Sequence, residues 1–219
     1  MKKTLALLLT AVAHLAFSQS MEEIDSVSYR MCDYLKKTEI ENDTLKINNF
    51  FTQQLYPYLG KIVQSNVKKV EQQVYYRLQR NCVAFRNLMD RLYPPKEAVT
   101  RITEKPKPSI TKKGLAAFKE QKAFYYFEVA GDTTRVVMEN GRWTDAFSNG
   151  TFSKLTYQWI TETEFELLFV ESDNETRANF SVAGDKYLYQ VLSKEDGFYN
   201  MSVNIPGQKT FELFRMYYE

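Results

Sequence analysis

The stretch TEFELLFVE, residues 163–171, decides the fold class of the second half of this chain. Phe165, Leu167 and Phe169 lie on one face of a strand, and a glutamate precedes each of the first two. Because successive side chains of a β-strand point to opposite faces, this alternation predicts a strand with one buried and one solvated face.

Similar short runs, rich in aromatic and β-branched residues, fill the region from 122 to 219. Breaks that contain glycine, asparagine or aspartate separate them and favour tight turns. The pattern predicts an antiparallel meander of about eight strands, closed into an up-and-down barrel or a strongly curved sheet that leaves few free edges. The runs are AFYYFEV, TTRVVMEN, TFSKLTYQWI, TEFELLFVE, TRANFSVA, KYLYQVL, GFYNMSVNI and KTFELFRMYY.

Two segments among these hairpins, GRWTDAF at 141–147 and KLTYQW at 154–159, contain the two tryptophans of the chain. Together with the hairpins they give residues 122–219 a resemblance to the small lipocalin-like barrels of exported bacterial proteins. Lipocalins place a Gly-x-Trp on the first barrel strand, whereas the GRW of this chain follows two predicted strands. The resemblance implies a fold, and no functional residue is transferred with it.

Aromatic residues are frequent in this half, with 20 Phe, Tyr or Trp side chains among residues 122–219. Strand propensity and core packing account for most of them. A barrel lined in this way can also hold a small apolar ligand by burial and stacking, and Trp143 and Trp159 are then the expected contacts. Periodicity does not separate a filled barrel from a hollow one, so both interpretations stay open.

Residues 19–93 carry apolar side chains at helical spacing and predict an antiparallel three-helix bundle. The first helix is expected near 21–38. The second follows capping residues at 43–44 and is ended or kinked by Pro57. The third is one long helix over 61–93. The chain is therefore expected to be of the α+β class, with helices first and the β domain at 122–219.

The segment 94–121 joins the two parts. It contains four of the six prolines, is rich in lysine and has few apolar residues. This composition is typical of a linker or an extended surface strap.

Cys32 and Cys82 are the two cysteines of the chain. Both lie on the apolar stripes of predicted helices, and an even pair in an exported protein indicates a disulfide. Closing a loop of about 50 residues would stabilise the fold by about 4 kcal/mol. A redox-active pair is the alternative, although the spacing lacks the CxxC pattern.

The N-terminus, MKKTLALLLTAVAHLAFSQS, is typical of a bacterial secretory signal peptide, and cleavage is expected after Ser18. The mature protein is then periplasmic or secreted, without a lipid anchor. Cleavage removes His14, the single histidine, which excludes Ser-His-Asp triads, Cys-His pairs and histidine-ligated metals. It also removes Lys2 and Lys3, which leaves 27 basic against 27 acidic residues.

Charge is unevenly distributed along the mature chain. Residues 21–120 hold 18 basic and 12 acidic residues, and residues 121–219 hold 9 and 15. The two parts either attract each other or present solvated faces. Alternatively, the basic helix and linker meet an anionic partner, such as an envelope protein or a membrane surface, but not a nucleic acid. The residues that would make this contact are Lys68, Lys69, Arg77 and Arg80.

Three motifs with catalytic or metal-binding residue types have simpler explanations. Ser109–Lys112 matches the Ser-x-x-Lys nucleophile motif, but it lies in the linker and lacks the companion motifs. Glutamates at 162, 164 and 166 fit a solvated strand face better than a glycosidase pair. The acidic stretch 171–175 lacks the spacing of a calcium loop. We expect no catalytic residue, no metal site and no cofactor.

The sequence favours an exported protein that is not an enzyme and that binds a small apolar ligand or a protein partner through its β domain. One alternative is an envelope structural or assembly factor that uses the basic helix and linker. Another is a hydrolase that works without histidine, which predicts a cleft with converging carboxylates of raised pKa.

Overall fold

The computed structural model describes residues 19–94, 100–128 and 131–218. The expected signal peptide at 1–18 therefore lies outside the described residues. No helix in the described ranges is long and apolar enough to cross a membrane.

The helical part comes first in the chain. Ser20 begins it with a capping box, in which its hydroxyl accepts from the backbone of Glu23 while the Glu23 carboxylate accepts from the backbone of Ser20. The helices are α1 (Met21–Lys37), α2 (Asp43–Phe50), α3 (Tyr56–Leu59), α4 (Val67–Asn81), α5 (Val83–Leu92), α6 (Lys112–Glu120) and α7 (Glu175–Phe180). A π-helical turn at Phe51–Leu55 joins α2 to α3, and a 3-10 turn at Gln64–Asn66 precedes α4.

The expected count of three N-terminal helices is wrong, because the long helix breaks at Cys82. This residue has an extended backbone (φ −125°, ψ 96°) and both ends α4 and begins α5. Its Sγ accepts from the backbone of Phe85 at 3.4 Å, as an N-cap does. Phe85 and Leu88 of α5 are buried in the helical core. No glycine or proline marks the break, so apolar periodicity continues through it.

The sequence predicts that Pro57 ends or kinks the second helix. The helical segment changes to a π-helical turn just before Pro57 and continues to Leu59, so that Pro57 lies in the first turn of α3. Proline is tolerated there because the N–H groups of a first helical turn have no partner within the helix.

The predicted disulfide is confirmed. Cys32 of α1 and Cys82, 50 positions apart in the sequence, are joined, and both cysteines are buried in the core of the helical part. Ile24, Phe50 and Val74 share that core with no exposed surface.

The predicted antiparallel barrel is confirmed as well. The strands are β1 (Thr100–Ile102), β2 (Ala123–Phe127), β3 (Thr133–Glu139), β4 (Arg142–Ala146), β5 (Phe152–Trp159), β6 (Glu164–Ser172), β7 (Lys186–Lys194), β8 (Phe198–Asn204) and β9 (Phe211–Tyr217). Eight of them, β2 to β9, pair in sequence order, and β9 closes the barrel by pairing with both β8 and β2. The short strand β1 pairs with β9 at the same edge as β2.

One predicted strand is wrong. TRANFSVA contributes to α7, because the side chain of Asn174 caps the helix by accepting from the backbone of Arg177, and Glu175 follows in the first turn. The missing strand is supplied by GRWTDAF, which forms β4. Only two of the five residues of β4, Trp143 and Asp145, are buried, and one of these is polar. The strand therefore lacks the apolar alternation that marks the other strands in the sequence.

The segment 94–121 is more than a linker, because it contains β1 and α6. Thr111 caps α6, and Phe118 of this helix is 1% exposed. The Phe118 ring lies 5.0 Å from Phe124 and 4.9 Å from Tyr199, centroid to centroid. The helix thus places an aromatic side chain in the barrel core near the start of β2.

The helical part contacts the opposite end of the barrel through buried ion pairs. Arg77 of α4, 1% exposed, donates to Asp25 of α1 at 2.5 and 2.7 Å and to Asp185 at 2.5 Å. It also donates to the carbonyl of Phe180 at the end of α7. Arg80 lies 3.1 Å from the same Asp185. One helix face therefore holds α1, α7 and the barrel together.

A second cluster lies where α5 meets β1 and β9. Arg86 and Arg101 both pair with Glu212, at 3.0 and 2.8 Å, and Arg101 also pairs with Asp90. Glu212 thus links α5 to β1 across β9. The two clusters together fix the orientation of the helices on the barrel.

Replacing both cysteines by serine is expected to lower the free energy of unfolding by about 2–4 kcal/mol, because the unfolded chain regains the freedom of a long loop. Chemical denaturation with and without reductant measures this. The reduced wild-type protein should match the double variant. Modification of both thiols in unfolded but unreduced protein would contradict the disulfide.

Arg77→Met is expected to destabilise the protein by about 3–5 kcal/mol, because it removes the buried guanidinium that links Asp25 to Asp185, although Arg80 still pairs with Asp185. Arg91→Met is the matched control. Arg91 pairs with Asp43 on the surface, where its side chain is 57% exposed, so its loss should cost less than about 1 kcal/mol. The free energy of unfolding is measured with denaturant. Equal decreases in the two variants would contradict a larger stabilising effect of the buried cluster.

Candidate functional site

The two tryptophans expected to contact a ligand are packed against other side chains. Trp143 is 2% exposed and lies 5.5 Å from Tyr189 between ring centroids. The ring centroid of Trp159 lies 4.9 Å from that of Phe165 and 6.1 Å from that of Phe118. The ammonium of Lys119 lies 4.2 Å from the centre of the Trp159 ring. Both rings therefore contribute to the core and the wall of the barrel.

Two concavities among the described residues lie outside the barrel. One, of about 430 Å³, lies between the start of α6 and the turn at 194–196. The other, of about 320 Å³, lies between the start of α1 and Tyr58. Neither resembles the enclosed apolar cavity that a carrier of apolar ligands needs.

A polar cluster lies inside the barrel beneath α7. Asp145 of β4, 7% exposed, accepts from the indole N–H of Trp143 at 2.8 Å. Burial raises the pKa of Asp145 to about 6, because the charged carboxylate loses its hydration. The nearby Arg177 and the Trp143 hydrogen bond favour the charged form and limit this rise.

Glu128 is the second carboxylate of this cluster. It pairs with Arg177 of α7 and accepts from Thr134 at 2.6 Å. Burial also raises the pKa of Tyr126, and the negative charge of Asp145 adds to this effect. The hydrolase hypothesis predicts converging carboxylates in a cleft, whereas Asp145 lies in the barrel interior and Glu128 is already paired with a cation.

The four basic residues expected to meet an anionic partner do not form one surface. Lys68 and Lys69 are exposed at the start of α4. Arg77 and Arg80 are 1% and 7% exposed and pair with Asp25 and Asp185 within the chain. These two arginines of the basic part therefore pair with a carboxylate of the acidic part, Asp185, inside the molecule.

A row of aromatic rings lies on the outer wall of the barrel where it closes. We call Tyr125, Phe127, Phe198 and Tyr217 the aromatic strip. Tyr125 and Tyr217 stack at 5.2 Å between centroids, Phe127 lies 5.3 Å from Tyr217, and Phe198 lies 5.6 Å from Tyr217. Phe127 is 46% exposed, and the other three rings are half-buried. The rings extend across β2, β9 and β8.

The strip points outward because its neighbours in each strand point inward. Phe124 on β2, Tyr199 on β8 and Met216 on β9 are buried in the barrel core. Alternation along the strands then places the adjacent aromatic residues on the opposite face. Sequence analysis missed the strip, although consecutive aromatic residues in AFYYF already indicate that both faces of that strand carry rings.

The opposite outer wall has different chemistry. Lys154 pairs with Glu171 at 2.7 Å, Lys186 with Glu166 at 3.1 Å, and Lys105 with Glu164 at 2.5 Å. Paired charges of this kind suit a solvated wall, whereas adjoining outward-facing rings that leave Phe127 exposed favour an interaction surface. The aromatic strip is therefore the candidate functional site.

Asp145→Asn is expected to stabilise the protein at neutral pH by up to about 3 kcal/mol. The folded-state pKa of Asp145, about 6, lies above its ordinary value of 3.8, so the charged side chain destabilises the fold at neutral pH. The penalty shrinks as pH falls through 6 and is gone below the ordinary value. The stabilising effect of the variant should therefore disappear in acid.

Unfolding free energies measured across this pH range test the prediction. Asp196→Asn is the control, because it removes the same charge from an exposed turn. A pH-independent effect of Asp145→Asn, or an equal effect in the control, would contradict the assignment.

The eight-stranded barrel is consistent with the architecture that the lipocalin-like resemblance implies. The Gly-x-Trp lies at the start of β4, the third strand of the barrel. No family model, no curated protein and no solved structure matches this chain.

Proposed function

We propose that this chain is an exported, non-enzymatic binding protein whose barrel presents the aromatic strip to a protein partner. The observation that carries the proposal is the group of four outward-facing rings in mutual contact on the outer wall. The strip lies on regular strands, which hold its side chains in fixed positions before any partner binds.

The packing of the barrel interior favours a protein partner over a small apolar ligand. Phe118 is inserted from α6, and Trp143, Phe165 and Tyr189 are in ring contact with one another. A ligand that entered between these rings would have to displace packed side chains, and the loss of dispersion attraction between them would oppose its binding.

The chemistry of the strip suits a protein interface. Tyrosine and phenylalanine offer large contact areas and lose little side-chain entropy on binding, and the centres of protein interfaces are enriched in aromatic residues and arginine. A stable interface buries roughly 800 Å² on each partner, so the strip would form the centre of a larger contact.

Site-specific photocrosslinking in the producing cells tests the proposal. A photoreactive amino acid at position 127 is expected to give a discrete adduct with another protein. The same group at position 170 is the control, because Val170 is 45% exposed on β6, away from the strip. The Tyr217→Ser variant should remove the adduct from position 127 without altering the melting temperature by more than a few degrees.

Equal adducts from the two positions would mean that crosslinking reports exposure alone and would refute a specific contact. Adducts from neither position would also contradict the proposal. Copurification of a small apolar molecule in stoichiometric amount with the barrel would instead support a carrier.

A further inference from the structure

We infer that Gln19 becomes the first residue of the exported protein and closes into a pyroglutamate ring, which occupies the concavity between α1 and Tyr58. The inference rests on the export that the proposed function includes and on the expected cleavage after Ser18. It assigns a covalent modification to the start of the mature chain and does not involve the aromatic strip.

The reaction needs no reagent beyond the chain itself. Once the peptide bond before Gln19 is cut, the free α-amine of this residue attacks the Cδ carbon of its own side chain. The bond between the amine nitrogen and Cδ forms, and the bond between Cδ and Nε2 breaks. One proton passes from the amine to Nε2, which leaves as ammonia. The product is a lactam that carries neither the α-ammonium charge nor the primary amide.

The capping box at Ser20 makes the start of α1 independent of the chain before Gln19. The Ser20 N–H donates to the Glu23 carboxylate at 3.1 Å, and the Ser20 carbonyl accepts from the N–H of Ile24 at 3.1 Å. Ser20 is therefore the N-cap, and Gln19 directly precedes it. Cleavage before Gln19 removes none of these hydrogen bonds, so α1 keeps its cap in the mature protein.

Two buried polar atoms at this end of α1 have no partner. Among the described residues, the side-chain carbonyl oxygen of Gln19 and the hydroxyl of Tyr58 are both buried without a hydrogen bond. Both residues line the concavity of about 320 Å³ at the start of α1. A buried polar group without a partner destabilises a fold, so two of them around one concavity require an explanation.

Ring closure removes this mismatch. It joins Cδ to the backbone nitrogen and thereby moves the side-chain carbonyl, which remains an acceptor, while the two N–H donors of the primary amide are lost. In the closed form the lactam carbonyl accepts from the Tyr58 hydroxyl. The ring carbons add apolar surface beside Val27 and Ile62, which line the same concavity.

The charges around the concavity also favour the neutral ring. Arg30 and Lys61 line it as cations, and Glu23 lines it as a carboxylate. Glu22, the other acidic residue of the first turn, is exposed to solvent, which screens its attraction for an amine. An open N-terminus would add a third cation at the positive end of the α1 dipole. Cationic neighbours favour the neutral form of the amine, which is the form that attacks, and the ring that results is uncharged.

Mass spectrometry of the N-terminal peptide, from protein exported by its own cells, tests the modification. The peptide is expected to begin at Gln19 and to be lighter than its open form by the mass of one ammonia. The sample is analysed fresh from neutral solution, so that closure during storage does not contribute. Gln19→Leu is the matched control, because leucine is similar in size and has no amide. Its α-amine should stay free and react with an amine label.

A double-mutant cycle tests the position of the ring. Tyr58→Phe is expected to lower the melting temperature by a few degrees in the wild type and by much less in Gln19→Leu, because only the lactam supplies an acceptor for the hydroxyl. Tyr29→Phe is the control, since Tyr29 of α1 is 53% exposed and should have little effect in either background.

An open Gln19, a closed form that arises only on storage, or cleavage before another residue would overturn the inference and leave the proposed function standing. Retention of residues 1–18 in the protein from these cells would overturn the inference together with the proposed export. Equal effects of Tyr58→Phe in the two backgrounds would overturn the placement of the ring in the concavity.

Discussion

The structure depends most on the guanidinium of Arg77, which is almost fully buried where the helices meet the barrel. It joins Asp25 on α1, Asp185 before β7 and the last carbonyl of α7. Removing such a group from water is costly unless every donor has a partner, and here carboxylates and a carbonyl meet the donors from three sides. The relative position of the two halves is therefore set by hydrogen-bond geometry, which tolerates little sliding.

This arrangement accounts for part of the uneven charge along the chain, which has 18 basic and 12 acidic residues at 21–120 and 9 and 15 at 121–219. The basic excess before residue 121 includes Arg77, Arg80 and Arg86, all buried against carboxylates of the acidic half. Because these charges neutralise one another inside the molecule, net charge by segment overstates the basic surface available to partners. The sequence contains the charges but not their pairing, since Asp185 lies more than 100 positions from Arg77.

The spacing of apolar residues and the turn residues predicted the elements that depend on interactions between neighbours in the sequence. Alternation in the strand at 163–171 and the turn residues between runs predicted the barrel, and two inward-facing cysteines predicted the disulfide. The predictions were wrong where a single capping side chain, and not the apolar pattern of the segment, determines the secondary structure. Asn174 caps a helix in a run of strand-like composition, and Cys82 interrupts an otherwise continuous helical stripe. A segment rich in proline and lysine still places Phe118 in the barrel core, and two of its other apolar residues, Ile110 and Leu115, pack against the same core.

The candidate site could not be predicted by looking for residues with reactive chemistry, since its members have none. Tyr125 and Tyr217 meet only because β2 and β9, nearly a hundred residues apart, close the barrel at this pair. Rings on the outer wall add little to a core that is already filled from the inner face, and exposed aromatic clusters raise the risk of aggregation. Cross-strand ring pairs stabilise a sheet modestly, and the partner contact that we propose accounts for the ring of Phe127 that this pairing leaves exposed.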